Sequence, residues 1–170
     1  IVKTMISNQH ELLGLAPIKN MVGTKQKEHG VSWGLSEAGY DIRIKQDIHF
    51  KPNSIFPIQM DCINNGFITR SARFTLASAI EEFDMPDCLV GIVHDKSTWA
   101  RKGLSVFNTV IEPGFKGGLT LELVYHGNTE LIIPAGSGIA QVLFHKISRP
   151  ARYEGKYQGQ SSDPEPAREY

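Results

Sequence analysis

Residues 96–103, with the sequence KSTWARKG, carry side chains that could hold an anion. If Ser97 begins a turn of helix, its hydroxyl and the guanidinium of Arg101 lie on one face of that turn, because residues four apart are neighbours on a helix. A guanidinium offers five N–H donors and a hydroxyl adds another, so the pair could hold an oxyanion. The alternative is structural, with Ser97 as a helix cap and Arg101 on the surface. Spacing alone leaves both interpretations open.

Glu122 is a carboxylate in the middle of a predicted strand, residues 119–125 (LTLELVY). Side chains alternate between the two faces of a strand, so Glu122 shares a face with Thr120 and Val124, away from the leucines. One interpretation is that this face is simply exposed. If the carboxyl is partly buried instead, its pKa rises toward neutrality and it can both take and give protons. Glu122 is therefore a candidate general base and acid.

Several common catalytic motifs are absent from the sequence. It contains neither G-x-x-x-x-G-K-[ST] nor G-x-G-x-x-G after a strand, which excludes the usual glycine-rich phosphate loops. No histidine stands in H-E-x-x-H, and neither Cys62 nor Cys88 belongs to a C-x-x-C pair. The site with which zinc deaminases activate water therefore cannot be built from these residues. G-x-S-x-G is also missing, which disfavours acyl-enzyme chemistry.

The charge of the chain is balanced, with 18 basic and 18 acidic side chains among 170 residues. A balanced chain has no net field to attract nucleic acid or an acidic membrane. The longest uncharged stretch, residues 131–144, is interrupted by proline and glycine and is too short to span a bilayer. Cys62 and Cys88 are isolated, and we expect reduced thiols. These features predict a cytoplasmic protein, or one of the host cytoplasm if the chain is viral, without a nucleic-acid or membrane partner.

The hydrophobic pattern is typical of strands. From Tyr40 onward, apolar residues mostly recur at every second position, which is the period of a half-buried strand. Turn residues such as Asn64-Asn65-Gly66 and Pro113-Gly114 separate short apolar runs. This alternation of short strands and turns predicts a sandwich, jelly roll or barrel-like sheet.

Two stretches could be helical, and a third stretch, at the C-terminal end, lies outside the core. The helices are predicted at residues 7–13, with Ser7 as a possible N-cap, and at residues 97–102. Residues 149–170 contain three prolines, few aliphatic side chains and four basic against four acidic residues. We interpret this last segment as a tail.

Four motifs together resemble the dCTP deaminase family of the dUTPase-like superfamily, and they follow the family's order. They are KSTWARKG at residues 96–103, EPGFKG at residues 112–117, TLE at residues 120–122 and GKYQGQ at residues 155–160. Residues 34–44, GLSEAGYDIRI, are similar to the family's entry into its first core strand. The resemblance covers roughly residues 30–160.

The resemblance implies a mainly all-β fold, a distorted β-barrel or jelly roll of the β-clip, dUTPase-like type, with a few short helices. It also implies a homotrimer with active sites between subunits. The chain then divides into a dUTPase-like β domain, residues 1–148, and a flexible C-terminal tail, residues 149–170, that closes over the nucleotide.

The implied activity is the hydrolytic deamination of dCTP to dUTP and ammonia in pyrimidine deoxynucleotide metabolism. By resemblance, Glu122 takes a proton from water, which attacks C4 of cytosine, and passes protons to N3 and the departing ammonia without zinc. Ser97 and Arg101 would hold the water, the tetrahedral centre and nearby phosphate across a subunit boundary. These three residues form the implied catalytic set.

The resemblance also implies a set of substrate-binding residues. Carried over position by position, they are Lys96, Ser97, Thr98, Trp99, Ala100, Arg101, Thr109, Glu112, Thr120, Leu121, Glu122, Gln141, Tyr153, Lys156 and Gln160. Lys96 and Ser97 would meet the phosphates, as would Lys156 and Gln160 from the tail. Backbone groups near three further positions would read the pyrimidine edge, namely Thr109, Thr120 and Leu121. Mg²⁺ would arrive with the triphosphate, so no protein metal ligand is named. Relatives also show feedback inhibition by dTTP.

The chain departs from the family pattern at two positions. Glu112 stands where many relatives have Asp, and Phe115 replaces the commoner Trp or Tyr. Tyr153 is a weaker match because its spacing to the tail lysine is often longer in the family, and residues 1–28 match poorly. These departures concern substrate detail more than reaction class.

Two alternative functions remain open from the sequence. One is a bifunctional enzyme that takes dCTP through dUTP to dUMP and pyrophosphate, and the other is a non-catalytic nucleotide-binding β-module. A dUTPase alone is disfavoured, because residues 156–160 read KYQGQ where that family has an Arg-Gly-x-x-Gly-Phe-Gly segment.

Overall fold

A computed structural model of the chain describes residues 5–52, 60–63, 66–71, 73–107 and 109–169. Strands dominate these ranges and the helices are short, so the prediction of a mainly β fold is confirmed. The elements are β1 (Ile6–Ser7), α1 (Gln9–Leu15), β2 (Lys25–Glu28), β3 (Val31–Leu35), β4 (Tyr40–Arg43), β5 (Asp47–Phe50), β6 (Met60–Ile63), β7 (Gly66–Ser71), β8 (Phe74–Ser78), β9 (Phe83–Asp84), β10 (Leu89–Asp95), α2 (Ser97–Ala100), β11 (Leu104–Val106), β12 (Val110–Ile111), β13 (Lys116–Gly117), β14 (Thr120–Tyr125), β15 (Leu131–Ile133) and β16 (Gly138–Lys146).

The largest sheet has seven strands. Its order is β12-β10-β16-β4-β3-β2, with β1 also paired to β16. The nine-residue β16 lies at its centre and pairs antiparallel with β10 and β4. Alternate side chains of β16, those of Ala140, Val142 and Phe144, are fully buried. The period of two read from the sequence therefore places one face of this strand in the core.

A three-stranded sheet, in the order β11-β14-β8, carries the carboxylate of interest. On β14, Leu121 and Leu123 are buried in the core, whereas Glu122 is only half-buried. Glu122 is paired in register with Leu76 of β8. The predicted alternation is confirmed here, since the carboxylate and the leucines point to opposite faces.

Two smaller sheets complete the β structure. One has four strands in the order β15-β5-β7-β6 and includes a parallel pair, β5 with β7, and the other pairs β13 with β9. Asn64 and Asn65 of the turn predicted between β6 and β7 lie outside the described residues. In the described ranges the four sheets pack around one apolar core and keep free edges. No helix in these ranges has the length and apolar character of a membrane span.

Both helices differ slightly from their predicted bounds. Ser7 is paired with Phe144 in β1, so it does not cap α1, whose N-cap is Asn8. The N-cap of α2 is Lys96 rather than Ser97, because the backbone N–H groups of Trp99 and Ala100 donate to the Lys96 carbonyl. A serine that precedes an apolar run is a frequent cap, but pairing with a neighbouring strand takes precedence at Ser7.

The C-terminal segment lies against the β domain. The ring of Tyr153 packs edge-on against Phe115, with 6.1 Å between ring centroids. The Gln158 side chain donates to the carbonyl of Gly114 and accepts from the backbone N–H of Lys116. Beyond it, Gln160 forms an isolated parallel bridge with Gly117. These contacts bring residues 153–167 to the face of the three-stranded sheet that carries Glu122.

Candidate active site

A cavity of about 500 Å³ lies beside β8 and β14. The two strands supply one wall, the segment after β11 supplies a second, and the tail covers a third. Six of the residues proposed from the sequence line it: Thr109, Glu112, Thr120, Glu122, Tyr153 and Gln160. They come from three separate parts of the chain, so the fold brings this subset together.

Glu122 is the chemically distinctive side chain of the cavity. Its Oε2 atom is buried and has no hydrogen-bond partner among the described residues. Removal from water raises the pKa of the Glu122 carboxyl, and a backbone hydrogen bond at the same residue partly opposes this. Burial without a partner disfavours the charged form. The result is a carboxyl that holds a proton more readily than an ordinary glutamate and points toward space that a ligand could fill.

The apolar surroundings of Glu122 come largely from β8. Leu76 is directly opposite Glu122 in the antiparallel pair, and Phe74 is opposite Val124. Both β8 side chains line the cavity together with Glu122. Directly opposed side chains in such a pair are neighbours on one face of the sheet, so Leu76 keeps water from one side of the carboxyl.

Thr120 joins the cavity to the tail. Its Oγ1 atom accepts a hydrogen bond from the side-chain amide of Gln160 and another, 3.1 Å long, from the backbone N–H of Glu165. The backbone N–H of Gly118 donates to the carbonyl of Gln160 as well. The start of β14 therefore holds two points of the tail.

The last residues of the tail also reach the cavity. Glu165 lines it, and its carboxylate pairs with Arg168. Hydrogen bonds from the backbone N–H of Ser161 and from Arg168 lower the pKa of Glu165. Lys156 donates to the Arg168 carbonyl over 2.7 Å. In this arrangement, the Lys156 ammonium contacts the tail itself rather than the cavity.

The segment that includes Ser97 and Arg101 lies away from this cavity. Both side chains are exposed, as are those of Thr98 and Ala100. Trp99 points inward, where its indole N–H donates to the Gly138 carbonyl over 2.7 Å. Within a single chain, α2 therefore does not bring Ser97 or Arg101 to Glu122.

Three other predicted site residues also lie outside the lining of the cavity. Lys96 forms an ion pair with Asp41 at 2.6 Å. The side-chain amide of Gln141 donates to the Ser36 hydroxyl over 3.0 Å. The Leu121 side chain is buried on the core face of β14, which leaves only its backbone on the strand that bears Glu122.

Several residues that line the cavity were not predicted from the sequence. These are Phe74, Leu76, Val110, Tyr157 and Glu165. Leu76 carries no local signal because its role depends on register against a strand more than forty residues later. The tail's composition, with acidic residues near its end, was the one available hint for Glu165.

No cluster of three or more histidine, cysteine, aspartate or glutamate side chains suited to a metal ion occurs in the part of the chain that the structure describes.

The architecture is shared with solved structures of a deaminase and a dUTPase. The 2′-deoxycytidine 5′-triphosphate deaminase from Agrobacterium tumefaciens superposes with a TM-score of 0.58 at 13% identity, over 86% of this chain and 49% of that one. The EIAV dUTPase superposes with a TM-score of 0.50 at 17% identity, over 91% of this chain and 97% of that one. At such identities the likeness defines the fold class, which is that of dUTPase-like proteins.

Sequence similarity identifies the family. The model of the dCTP deaminase-like family matches residues 28–147. The dCTP deaminase of Campylobacter curvus is 39% identical over 145 residues, which cover 76% of this chain and 78% of that protein. This chain belongs to the dCTP deaminase-like family.

Proposed function

We propose that this chain is an enzyme that hydrolyses dCTP to dUTP and ammonia. The matching relatives are named dCTP deaminase, which favours this reaction over a bifunctional or non-catalytic protein. The observation that carries the proposal is the half-buried Glu122 carboxyl, whose Oε2 lacks a partner among the described residues and lines a cavity. A binding module has no need for such a group, whereas hydrolytic deamination needs a carrier of protons.

Glu122 performs the proton transfers in this mechanism. Its carboxylate takes a proton from water as the oxygen bonds to C4 of cytosine, and N3 receives that proton. The tetrahedral carbon then loses the amino group, which leaves as ammonia after protonation, while the new hydroxyl gives up its proton to form the uracil carbonyl. The raised pKa of Glu122 suits both directions of transfer, because efficient proton carriers have pKa values near the working pH.

The remaining cavity residues bind the nucleotide. Thr109 and the backbone at Thr120 and Leu121 read the pyrimidine edge, and Glu112 holds the sugar 3′-hydroxyl or its water. Phe115 supplies an apolar surface in the same cavity. These roles are carried over from the family pattern to groups that line the cavity or lie next to it.

The triphosphate enters as its Mg²⁺ complex. Mg²⁺ keeps several waters and binds largely through phosphate oxygens, so the substrate itself holds the ion. Tyr153, Lys156 and Gln160 meet the triphosphate as the tail closes. To reach the triphosphate, the Lys156 ammonium must leave the Arg168 carbonyl and bind a phosphate oxygen instead. The flexible side chain of lysine allows this change of partner. A pyrimidine nucleotide such as dTTP would compete at the same site.

The complete site forms between protomers of a homotrimer. Ser97 and Arg101 are exposed and lie outside the cavity of their own chain, so they are available to the cavity of a neighbour. Two apolar side chains of the segment that follows β11 are exposed too: Phe107 at 55% and Val110, which lines the cavity, at 54%. A second protomer would cover this surface and supply the hydroxyl and the guanidinium.

The product of the reaction tests the proposal. Purified protein with dCTP and Mg²⁺ should release ammonia and accumulate dUTP, as measured by anion-exchange separation of the nucleotides. Accumulation of dUMP and pyrophosphate would instead establish the bifunctional reaction, and unchanged dCTP would overturn the proposal.

A further inference from the structure

Lys96 and Asp41 form a buried ion pair outside the cavity. Their Nζ and Oδ2 atoms are 2.6 Å apart, and the two side chains are only 10% and 7% exposed. Ser32 directs its hydroxyl toward the same carboxylate oxygen at 3.4 Å. Other lysine ion pairs in the described ranges are far more open, such as Lys25 with Glu37 at 44% and 79% exposure.

The largest sheet places Asp41 where it can reach α2. Asp41 on β4 is opposite Gln141 on β16, and Gln141 is opposite His94 on β10. These three side chains form one row across the sheet, because directly paired residues share a face. Lys96 is two residues after His94, so its side chain can extend back over this face of the sheet and reach the Asp41 carboxylate.

A glycine leaves room for this return. A Cβ at Gly138 would lie 3.3 Å from the Lys96 Cε and 2.0 Å from the Ser32 carbonyl oxygen. The Gly138 carbonyl also accepts the indole N–H of Trp99. The turn that carries Ser97 and Arg101 is thus fastened on both sides of Ser97, by Lys96 before it and by Trp99 after it.

A four-residue helix depends on such fastening. Short helices are unstable by themselves, so tertiary contacts decide the orientation of α2. The side chains of Ser97 and Arg101 are exposed, so burial in the core does not set their direction. Their direction is therefore inherited from their anchored neighbours.

We propose that Asp41 is a positioning residue, which holds the Lys96 ammonium and thereby aims Ser97 and Arg101 at the active site. This inference rests on the deamination proposed above and on Ser97 and Arg101 as participants in it. It gives Lys96 a role different from the phosphate contact implied by the family resemblance, because its ammonium is already bound to a carboxylate in a largely buried place.

Steady-state kinetics with dCTP separate the two roles of Lys96. Asp41→Asn and Lys96→Met should lower kcat by similar factors, about 10- to 100-fold, since a misplacement of about 1 Å can cost 10²-fold. Any change in KM should also be similar in the two variants, because Ser97 and Arg101, which the family resemblance places near the phosphate, are displaced in both. Lys96→Arg, which keeps the pair, should retain most of the activity, and Lys25→Met should match the wild type. A large rise in KM for Lys96→Met without any effect of Asp41→Asn would overturn the proposal in favour of a phosphate ligand.

The double variant Asp41→Leu with Lys96→Met protects the test against misfolding. It removes both charges, so neither is left buried without a partner. We expect it to be folded, by thermal melting, and to have the low kcat of the single variants. A folded double variant with wild-type kcat would show that the pair does not position α2.

Limited proteolysis tests the anchoring independently of activity. Trypsin should cut after Arg101 and Lys102 faster in Asp41→Asn and in the double variant than in the wild type or Lys25→Met, because cleavage of a folded protein follows local opening. Equal rates would overturn the positioning role. If the wild type fails to deaminate dCTP, the proposed function fails, and these cleavage rates still decide whether the pair fastens α2.

Discussion

At the scale of single residues, the chemistry of the site depends on the position of Glu122 between water and an apolar surface. Its Oε2 is buried without a partner among the described residues, while the side chain as a whole stays half-exposed to the cavity. Full burial would keep the carboxyl protonated, and full exposure would leave it an ordinary anion. The intermediate position suits the proton transfers proposed for this group.

Replacement of Glu122 by glutamine tests its proton transfers. The amide is similar in size but cannot exchange protons, so deamination should fall by about 10²–10⁴-fold while dCTP still binds. Ammonia release measures the first effect, and isothermal titration with dCTP measures the second. Glu130→Gln, at an exposed carboxylate outside the cavity, serves as the control. Normal turnover in the Glu122→Gln variant would remove Glu122 from the mechanism.

Burial raises the pKa of Glu122, and we expect Leu76, which lies directly opposite it, to contribute to that burial and so to the pH dependence of the reaction. The base is the ionised form, so kcat/KM falls as pH drops through the pKa of Glu122, which burial has raised. Leu76→Thr brings a hydroxyl and water to the carboxyl, stabilises its charge and lowers that pKa. The acidic limb of the kcat/KM profile should then move to lower pH.

The matched control for Leu76→Thr is Ile132→Thr, at an exposed position on β15 outside the cavity. Its profile should coincide with that of the wild type. If the acidic limb stays in place in Leu76→Thr, another group governs it.

At the scale of elements, the tail differs most from a simple solvated terminus. Its polar composition predicted an extension outside the core, and its contacts with Phe115, Thr120 and Gly117 place it along the cavity. Polar side chains serve here because they bond to backbone groups of the domain, as Gln158 does with Gly114. Tyr153 and Tyr157 also pack against the apolar core, so polar and apolar contacts together hold the segment.

Truncation of the tail should separate its two parts. Removal of residues 151–170 deletes Lys156 and Gln160 and should raise KM for dCTP severalfold, with a smaller effect for deoxycytidine, which has no phosphates. Removal of residues 163–170 keeps both side chains and opens the cavity at Glu165, so KM for dCTP should stay the same or fall. Unchanged kinetics in the longer truncation would show that the tail does not bind substrate.

At the scale of the whole molecule, one chain does not bring together the proposed catalytic set. Glu122 lies in the cavity, whereas Ser97 and Arg101 are exposed outside it. An assembly in which each cavity receives α2 of a neighbour resolves this separation. A trimer by light scattering is expected, and a monomer would make a shared site untenable.

Complementation tests the shared site directly. Glu122→Gln and Arg101→Ala should each be nearly inactive, because one lacks the proton carrier and the other lacks the guanidinium. Refolding them together should restore about a quarter of the wild-type sites, by random pairing of protomers in a closed ring. The control is a mixture of the two variants that is not refolded. If refolding them together gives no gain in activity, the two residues either belong to the site of one protomer or lie outside the site.

The sequence by itself determined the β class, the face on which Glu122 lies and the motifs that identify the family. Each follows from local information, since the alternation of a strand is set by its own backbone and a motif by adjacent residues. Even the error at Ser7 was local, a shift of one position in a helix cap.

Only the tertiary structure decided which side chains meet. Leu76 opposite Glu122, Asp41 beside Lys96 and Glu165 above Thr120 are contacts between segments far apart in the chain. Such contacts depend on the register between strands and on how the tail packs. Register is set by the joint burial of all the strands in one core, which no single segment specifies.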